Sequence, residues 1–325
     1  MCTAITLKTK DFYFGRNLDY EFSYGEEIVI TPRNYSFSFR HEKEMKHHLA
    51  LIGVAHLSNG YPLYYDAINE AGLGMAGLNF IGNAHYSSKL LKSKNNVAQF
   101  ELIPWILSQA KKVTEAKELI QKINIVDTPF SAKYPPSELH YIIADKEQCI
   151  VLESMKEGIR VYDNPIGVLT NNPPFNEQLF WLNRYMNLSR KEPKNQFSNL
   201  APLHAYSRGM GAIGLPGDLS SSSRFAKVAF TKLNSVSSTD ELSSVSQFFH
   251  ILQSVEQQRG VAEVKDNEYE FTIYSTCYNC DKGICYYTSY GNRRMNAIDM
   301  KKENLDDEKL IPFSMNLKED VLYQN

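Results

Sequence analysis

The sequence predicts an α+β fold in which two antiparallel sheets are sandwiched between helical layers. Three observations predict it. Short strand-like runs fill the first eighty residues, helical periodicity takes over in two later blocks, and strand-like runs return between those blocks and after the second. Blocks of strands and helices, in place of a regular alternation, argue against a parallel crossover sheet.

Thr3 to Lys8, Phe12 to Arg16, Ile28 to Thr31, Leu51 to Ala55, Tyr61 to Ala67 and Gly72 to Phe80 read as strands, several alternating apolar and polar residues as half-buried antiparallel strands do. A helical block runs from about Ala98 to Ile123. Pro104 marks a start or kink, and Thr114 is placed to cap a second helix carrying Ala116, Leu119, Ile120 and Ile123 on one face. Strands resume at Leu139 to Ala144, Cys149 to Glu153 and Gly158 to Tyr162, with Asp145 to Gln148 as the turn between the first two. Two more amphipathic helices follow, one presenting Phe225, Val228, Ala229 and Leu233, the other Val245, Phe248, Phe249 and Leu252. Phe271 to Cys277, Ile284 to Tyr290 and Met295 to Ile298 complete the strands ahead of a charged tail. The whole chain, 1–325, reads as one domain. Its long polar connection, about 190–214, lacks helical periodicity and suits subunit contact or substrate selection.

Composition excludes several function classes. Hydrophobic residues at 43% and charged residues at 22% are ordinary for a globular chain. A formal net charge of −2 with scattered Lys and Arg predicts no nucleic-acid partner, and no apolar run is long enough to span a membrane. The N-terminus lacks the basic and apolar regions of a signal peptide. Five cysteines, an odd number, fit free thiols in a reducing compartment, so the expected location is cytoplasmic.

Cys2 carries the chemistry. Removal of Met1 ahead of this small residue would place a free α-amine and a thiol on one residue, a nucleophile with its own base. The reference pKa values, about 7.7 to 8.0 for the amine and about 8.5 for the thiol, are close enough for proton transfer near neutrality. Gly15 to Asp19 sets a cation and a carboxylate three residues apart after an apolar strand. The Arg16 guanidinium is suited to a thiolate and Asp19 to an α-amine. Asn79 and Asn171 each end a strand-like run and offer donors of the kind an oxyanion needs.

Taken in order, Cys2-Thr3, Gly15 to Asp19, Tyr65 to Gly74, Gly77 to Phe80, Gly167 to Asn171, Gly214 to Asp218 and Ser223 to Phe225 resemble the choloylglycine hydrolase family, from Cys2 to about Asp299. That family contains bile salt hydrolases and penicillin V acylases. The resemblance implies an N-terminal nucleophile hydrolase with an αββα sandwich, commonly a homotetramer, using no metal or organic cofactor. It implies Cys2 as nucleophile, Arg16 beside the thiol, Asp19 on the α-amine, Asn79 and Asn171 near the oxyanion, and Arg224 in the charge network. One departure is Leu139-His140-Tyr141, where similar bile salt hydrolases often carry Trp in the third place.

The resemblance implies conjugated bile salts as substrates. Leu18, Tyr20, Phe22, Tyr24 and Phe80 supply apolar and aromatic surface for a steroid, and Arg208, on a loop similar to that of taurine-active enzymes, is suited to a sulfonate. Penicillin V acylase is the alternative within the enzyme class, and a non-catalytic binding protein on the same fold is the alternative outside it. A zinc site at Cys277, Cys280 and Cys285 lacks a nearby fourth ligand, with His250 the closest upstream histidine. A Cys149/His protease is disfavoured because Cys149 lies in an apolar strand.

Overall fold

The computed structural model describes residues 1–325. Strands β1 (Cys2–Lys8), β2 (Phe12–Tyr20), β3 (Glu27–Thr31), β4 (Leu51–Ser58), β5 (Tyr61–Asn69) and β6 (Gly74–Asn79) precede the short β7 (Asn95–Ala98). Helices α1 (Leu102–Gln109) and α2 (Val113–Lys122) lead into β8 (Ile123–Val126), β9 (Leu139–Ala144), β10 (Cys149–Met155), β11 (Gly158–Asp163) and β12 (Val168–Leu169). Then come α3 (Phe175–Trp181), α4 (Ser221–Asn234), α5 (Glu241–Gln253), β13 (Ala262–Lys265), β14 (Glu268–Asn279), β15 (Ile284–Ser289), β16 (Asn292–Asp299) and β17 (Ile311–Ser314).

One sheet has the order β12-β1-β2-β14-β15-β16, with β13 added to β14; the other runs β11-β10-β9-β6-β5-β4-β3-β17. Their pairings are antiparallel throughout, as the alternating sequence pattern requires. Period two sorts the second sheet: Ile28, Ile30, Ile142 and Ala144 join the core between the sheets, while Val29, Tyr141 and Ile143 join the core beneath α1 and α2. Helices α4 and α5 cover the outer face of the first sheet. The result is an αββα sandwich.

Several expectations need correction. Thr114 does not cap α2; Lys112 holds the cap position and Asp145 Oδ2 accepts the Val113 N–H at 2.6 Å. Leu233 is exposed, because α4 buries only Phe225, Val228 and Ala229 of the predicted face. The charged tail is not free of structure, since β17 pairs with β3 and adds an edge strand. The Asp145 turn forms as expected, with the carboxylate accepting from the backbone N–H groups of Glu147 and Gln148.

Candidate active site

The β1–β2 register builds the site. Cys2 lies opposite Leu18, Thr3 opposite Asn17 and Ala4 opposite Arg16. Paired residues share a face, so Cys2, Leu18 and Arg16 face the second sheet, while Thr3, Asn17 and Asp19 face the helical layer. A slip of one residue would exchange the sets and dismantle the arrangement. Cys2 is buried and its thiol is free. Its backbone N–H donates to Asn171 Oδ1 at 2.7 Å, just beyond the point where β12 pairs with β1.

Two fully buried guanidinium groups flank this strand end. Arg16 Nη1 donates to the carbonyls of Tyr65 at 3.2 Å and Gly77 at 2.5 Å, and Nη2 has no partner. A buried unsatisfied donor on a cation is costly, and an anion beside it would relieve that cost. Burial works against the Arg16 charge, but Cys2, Tyr274, Asp66 and Asp19 together hold its pKa above the ordinary value. Arg224, from α4, donates to the Cys2 carbonyl and Thr3 Oγ1, both at 2.6 Å, and to Asn171 Oδ1 at 2.8 Å. Its guanidinium lies 4.0 Å from Asp19 Oδ2. Asp19 in turn accepts from Thr272 Oγ1 at 2.6 Å and Gln257 Nε2 at 3.3 Å.

The α-ammonium of Met1 is ion-paired with Glu270 and donates to the Asp19 carbonyl. Burial lowers its pKa; Cys2 and Asp19 oppose that shift, and Arg224 and Arg16 add to it. The Met1 amine therefore loses its proton more readily here than in water. Asn171 completes the frame by donating from Nδ2 to the Asn79 carbonyl at 2.8 Å.

A cavity of about 330 Å³ opens above Cys2, bounded by Arg16, Leu18, Asp19, Tyr20 and Tyr24 on the β1–β2 side and by Tyr65, Gly77 and Asn79 on the second sheet. Its outer wall comes from Gln99, Phe100, Phe130, Lys133 and Tyr134. A thiol beside an unpaired guanidinium donor, at the base of a largely apolar pocket, is arranged for nucleophilic chemistry on a lipophilic substrate.

Residues 2–313 match the family described as linear amide C-N hydrolases, choloylglycine hydrolase family. The chain belongs to the choloylglycine hydrolase family. It is similar to a bile salt hydrolase/transferase of Lactiplantibacillus plantarum, 55% identical over 315 residues with 97% of each chain covered. A second bile salt hydrolase/transferase, from Clostridium perfringens, is 38% identical over 320 residues, again with 97% of each covered. The structure of a conjugated bile acid hydrolase variant from Clostridium perfringens superposes with a TM-score of 0.92 at 37% identity, covering 100% of both chains. Penicillin V acylase from Agrobacterium tumefaciens shares the fold, with a TM-score of 0.72 at 19% identity and coverage of 96% of this chain and 91% of the other.

Within this choloylglycine hydrolase frame, Cys2, Arg16, Asp19, Asn79, Asn171 and Arg224 come together at one end of the sandwich. The substrate residues divide. Leu18, Tyr20 and Tyr24 line the cavity, and Phe22 packs on Tyr20 and Tyr24 with ring centroids 5.1 and 4.8 Å away. Phe80 does not line it; it is fully buried and stacked on His140 at 4.3 Å. Arg208 also lies off the cavity, exposed and paired with Glu192. Sequence reasoning missed Thr272 and Gln257, which hold Asp19, and the outer wall. The aromatic and proline content of Phe130, Tyr134, Pro135 and Pro136 was the available signal for that wall. No cluster of three His, Cys, Asp or Glu side chains is arranged to hold a metal.

Proposed function

We propose that the chain hydrolyses the amide bond joining a bile acid to glycine or taurine, using Cys2 as nucleophile once Met1 has been removed. The observation that carries this reading is the buried Cys2 thiol in a cavity that Arg16 also lines, with the Arg16 Nη2 left without a hydrogen-bond partner. The names of the Lactiplantibacillus and Clostridium relatives support the substrate class.

In the proposed reaction the Cys2 thiolate attacks the amide carbonyl carbon. The oxyanion collapses, the C–N bond breaks, and the departing amine takes the proton the thiol had given to the α-amine. Water then adds to the thioester, its proton passing to the α-amine, and cleavage of the C–S bond returns the thiol and releases the bile acid. Arg16 stabilises the thiolate, Asp19 orients the α-amine, and Asn79 supplies an oxyanion donor from the cavity wall. Asn171 holds the Cys2 backbone, and Arg224 ties Asn171, Cys2 and Asp19 into one charge network.

The test is release of taurine and glycine from taurocholate and glycocholate, with penicillin V as the competing substrate. Rapid bile salt turnover that is abolished by Cys2→Ala is expected. Cleavage of penicillin V alone would overturn the substrate, and residual turnover by Cys2→Ala would overturn the nucleophile.

We also propose that the enzyme works in the cytoplasm as a homotetramer. All five cysteines are unpaired, as a reducing compartment favours, and no helix is long and apolar enough to cross a membrane. Supporting assembly is the arm between α3 and α4, where Phe197, Leu200 and Tyr206 are 84%, 95% and 85% exposed, far beyond what isolated surface apolar residues require.

A further inference from the structure

Asp66 is a fully buried carboxylate on β5, in the layer between the two sheets, and it does not line the cavity. Three hydroxyls from β14 converge on it: Tyr274 Oη at 2.6 Å on Oδ1, and Tyr278 Oη at 2.7 Å and Thr276 Oγ1 at 3.0 Å on Oδ2. Residues 274, 276 and 278 alternate along the strand and so share the face turned towards β5. Thr276 Oγ1 also accepts the Arg16 backbone N–H at 3.2 Å, which makes a directed chain from Arg16 through Thr276 to the carboxylate. The side chain of Arg16 meets the same segment again, since Nη1 donates to the carbonyl of Tyr65, the residue before Asp66.

Charge accounting gives this cluster a role beyond joining the sheets. Arg16 and Arg224 are buried cations, and Asp19 lies beside Arg224. A buried guanidinium without a counter-ion is strongly unfavourable, and Asp66 is the other fully buried carboxylate in the field of Arg16. Burial raises the Asp66 pKa, and Arg16 is the first of the groups that pull it back.

We propose that Asp66 is the positioning residue of Arg16: its carboxylate is the counter-ion that shares the guanidinium charge with the Cys2 thiolate, and so sets how basic that thiolate is. The inference rests on the proposed nucleophilic role of Cys2. The titratable groups facing Asp66 are Arg16 on β2, Tyr274 and Tyr278 on β14 and Cys285 on β15, while Cys2 and Asp19 act on it through Arg16. Neutralising Asp66 leaves more of the Arg16 charge for Cys2, so the thiol ionises at lower pH. A less basic thiolate is also a weaker nucleophile.

The experiment follows alkylation of Cys2 by iodoacetamide against pH, located by mass spectrometry, in Met1-processed wild type and Asp66→Asn, with bile salt kinetics on the same samples. The other thiols are silent near neutrality, because burial pushes Cys149 up to about 12 and Cys277, Cys280 and Cys285 well above their ordinary value. The midpoint in Asp66→Asn is expected to fall by about half a unit to one unit, with kcat down several-fold and KM within about twofold. An unchanged midpoint in a folded but destabilised Asp66→Asn would overturn the proposal and leave Asp66 a tie between sheets. Should Asp66→Asn fail to fold, Tyr278→Phe strips one donor from the buried carboxylate and pushes it towards its neutral form, so its midpoint is expected to fall in the same sense as in Asp66→Asn, and no fall overturns the proposal. A wild type whose Cys2 resists alkylation and hydrolyses no bile salt would instead bring down the functional reading on which the inference rests.

Discussion

The Asn171 side chain satisfies three separate groups: its oxygen accepts from the Cys2 backbone and from Arg224, and its nitrogen donates to the Asn79 carbonyl. It is buried, so nothing from solvent can replace these bonds. Asn171→Ala strands a guanidinium donor and the Cys2 nitrogen, which is the α-amine once Met1 is removed, and roughly 2 to 4 kcal/mol of stability is expected to go with them. The same change releases both the nucleophile strand and Asn79, so kcat is expected to fall by about 100-fold or more. Asn171→Asp keeps both acceptor roles and loses only the donation to Asn79, and its stability is expected to recover further than its activity. Urea unfolding beside taurocholate turnover measures the two effects separately. Equal recovery of both would mean that the Asn79 link has no part in catalysis.

At the scale of elements, what could be read in the sequence was what lies close together along the chain. Arg16, Asn17 and Asp19 stand out as polar residues in the otherwise apolar β2, and Cys2 lies opposite the same strand because β1 and β2 form a hairpin. Gly15 fits that strand for a reason the sequence does not display: a Cβ there would lie 2.1 Å from the Thr276 carbonyl oxygen, so β2 and β14 approach closely only over glycine. The edge strand β17 was hidden because Ile311–Ser314 sits in a charged stretch and finds its partner β3 some 280 residues away. The cavity wall was hidden likewise, being assembled from residues near 100 and near 130 that periodicity cannot bring together. Arg208 marks the opposite failure, a local pattern whose side chain ends up paired with Glu192 away from the cavity.

The arm holding Arg208 carries the element-scale prediction. Between α3 and α4 its only regular structure near the end is the 3-10 turn Met210–Ala212, and it leaves Phe197 and Leu200 in solvent. Apolar exposure of that kind is relieved when copies of the chain meet. Light scattering is expected to give a mass four times the 37.2 kDa of one chain. The double change Phe197→Asp and Leu200→Asp is expected to lower that mass without unfolding the sandwich. A monomeric wild type would remove the tetramer, and an intact tetramer in the double variant would move its interface elsewhere.

Across the whole molecule, the buried titratable groups set an alkaline limit to stability. Burial raises Cys277, Cys280 and Cys285 well above 9.0, and Tyr61, Tyr86, Tyr274 and Tyr278 well above 10.0. The unfolded chain loses these protons at the ordinary values and the folded chain keeps them. Stability is therefore fully present below pH 9 and falls by about 1.4 kcal/mol per pH unit for each thiol above it, and for each phenol above 10. Lys232 acts in the opposite sense. Burial lowers it to about 8 from 10.5, so the unfolded chain binds the extra proton between those values and stability rises with pH across that window. Over pH 9 to 10 the lysine offsets about one thiol of four, Cys149 being pushed up to about 12 as well; above 10.5 its contribution is complete while thiols and phenols act together. Their combined slope, on the order of 10 kcal/mol per pH unit, matches the entire stability of an ordinary domain. Urea unfolding measured from pH 7 to 11 is thus expected to show little change up to 8, a rise of about 1 kcal/mol between 8 and 9, a decline to 10, and collapse before 11. In Lys232→Met the rise between 8 and 9 is lost and the decline to pH 10 steepens. A wild-type curve that stays level through pH 11 would mean that these thiols and phenols ionise in the folded chain as freely as in the unfolded one.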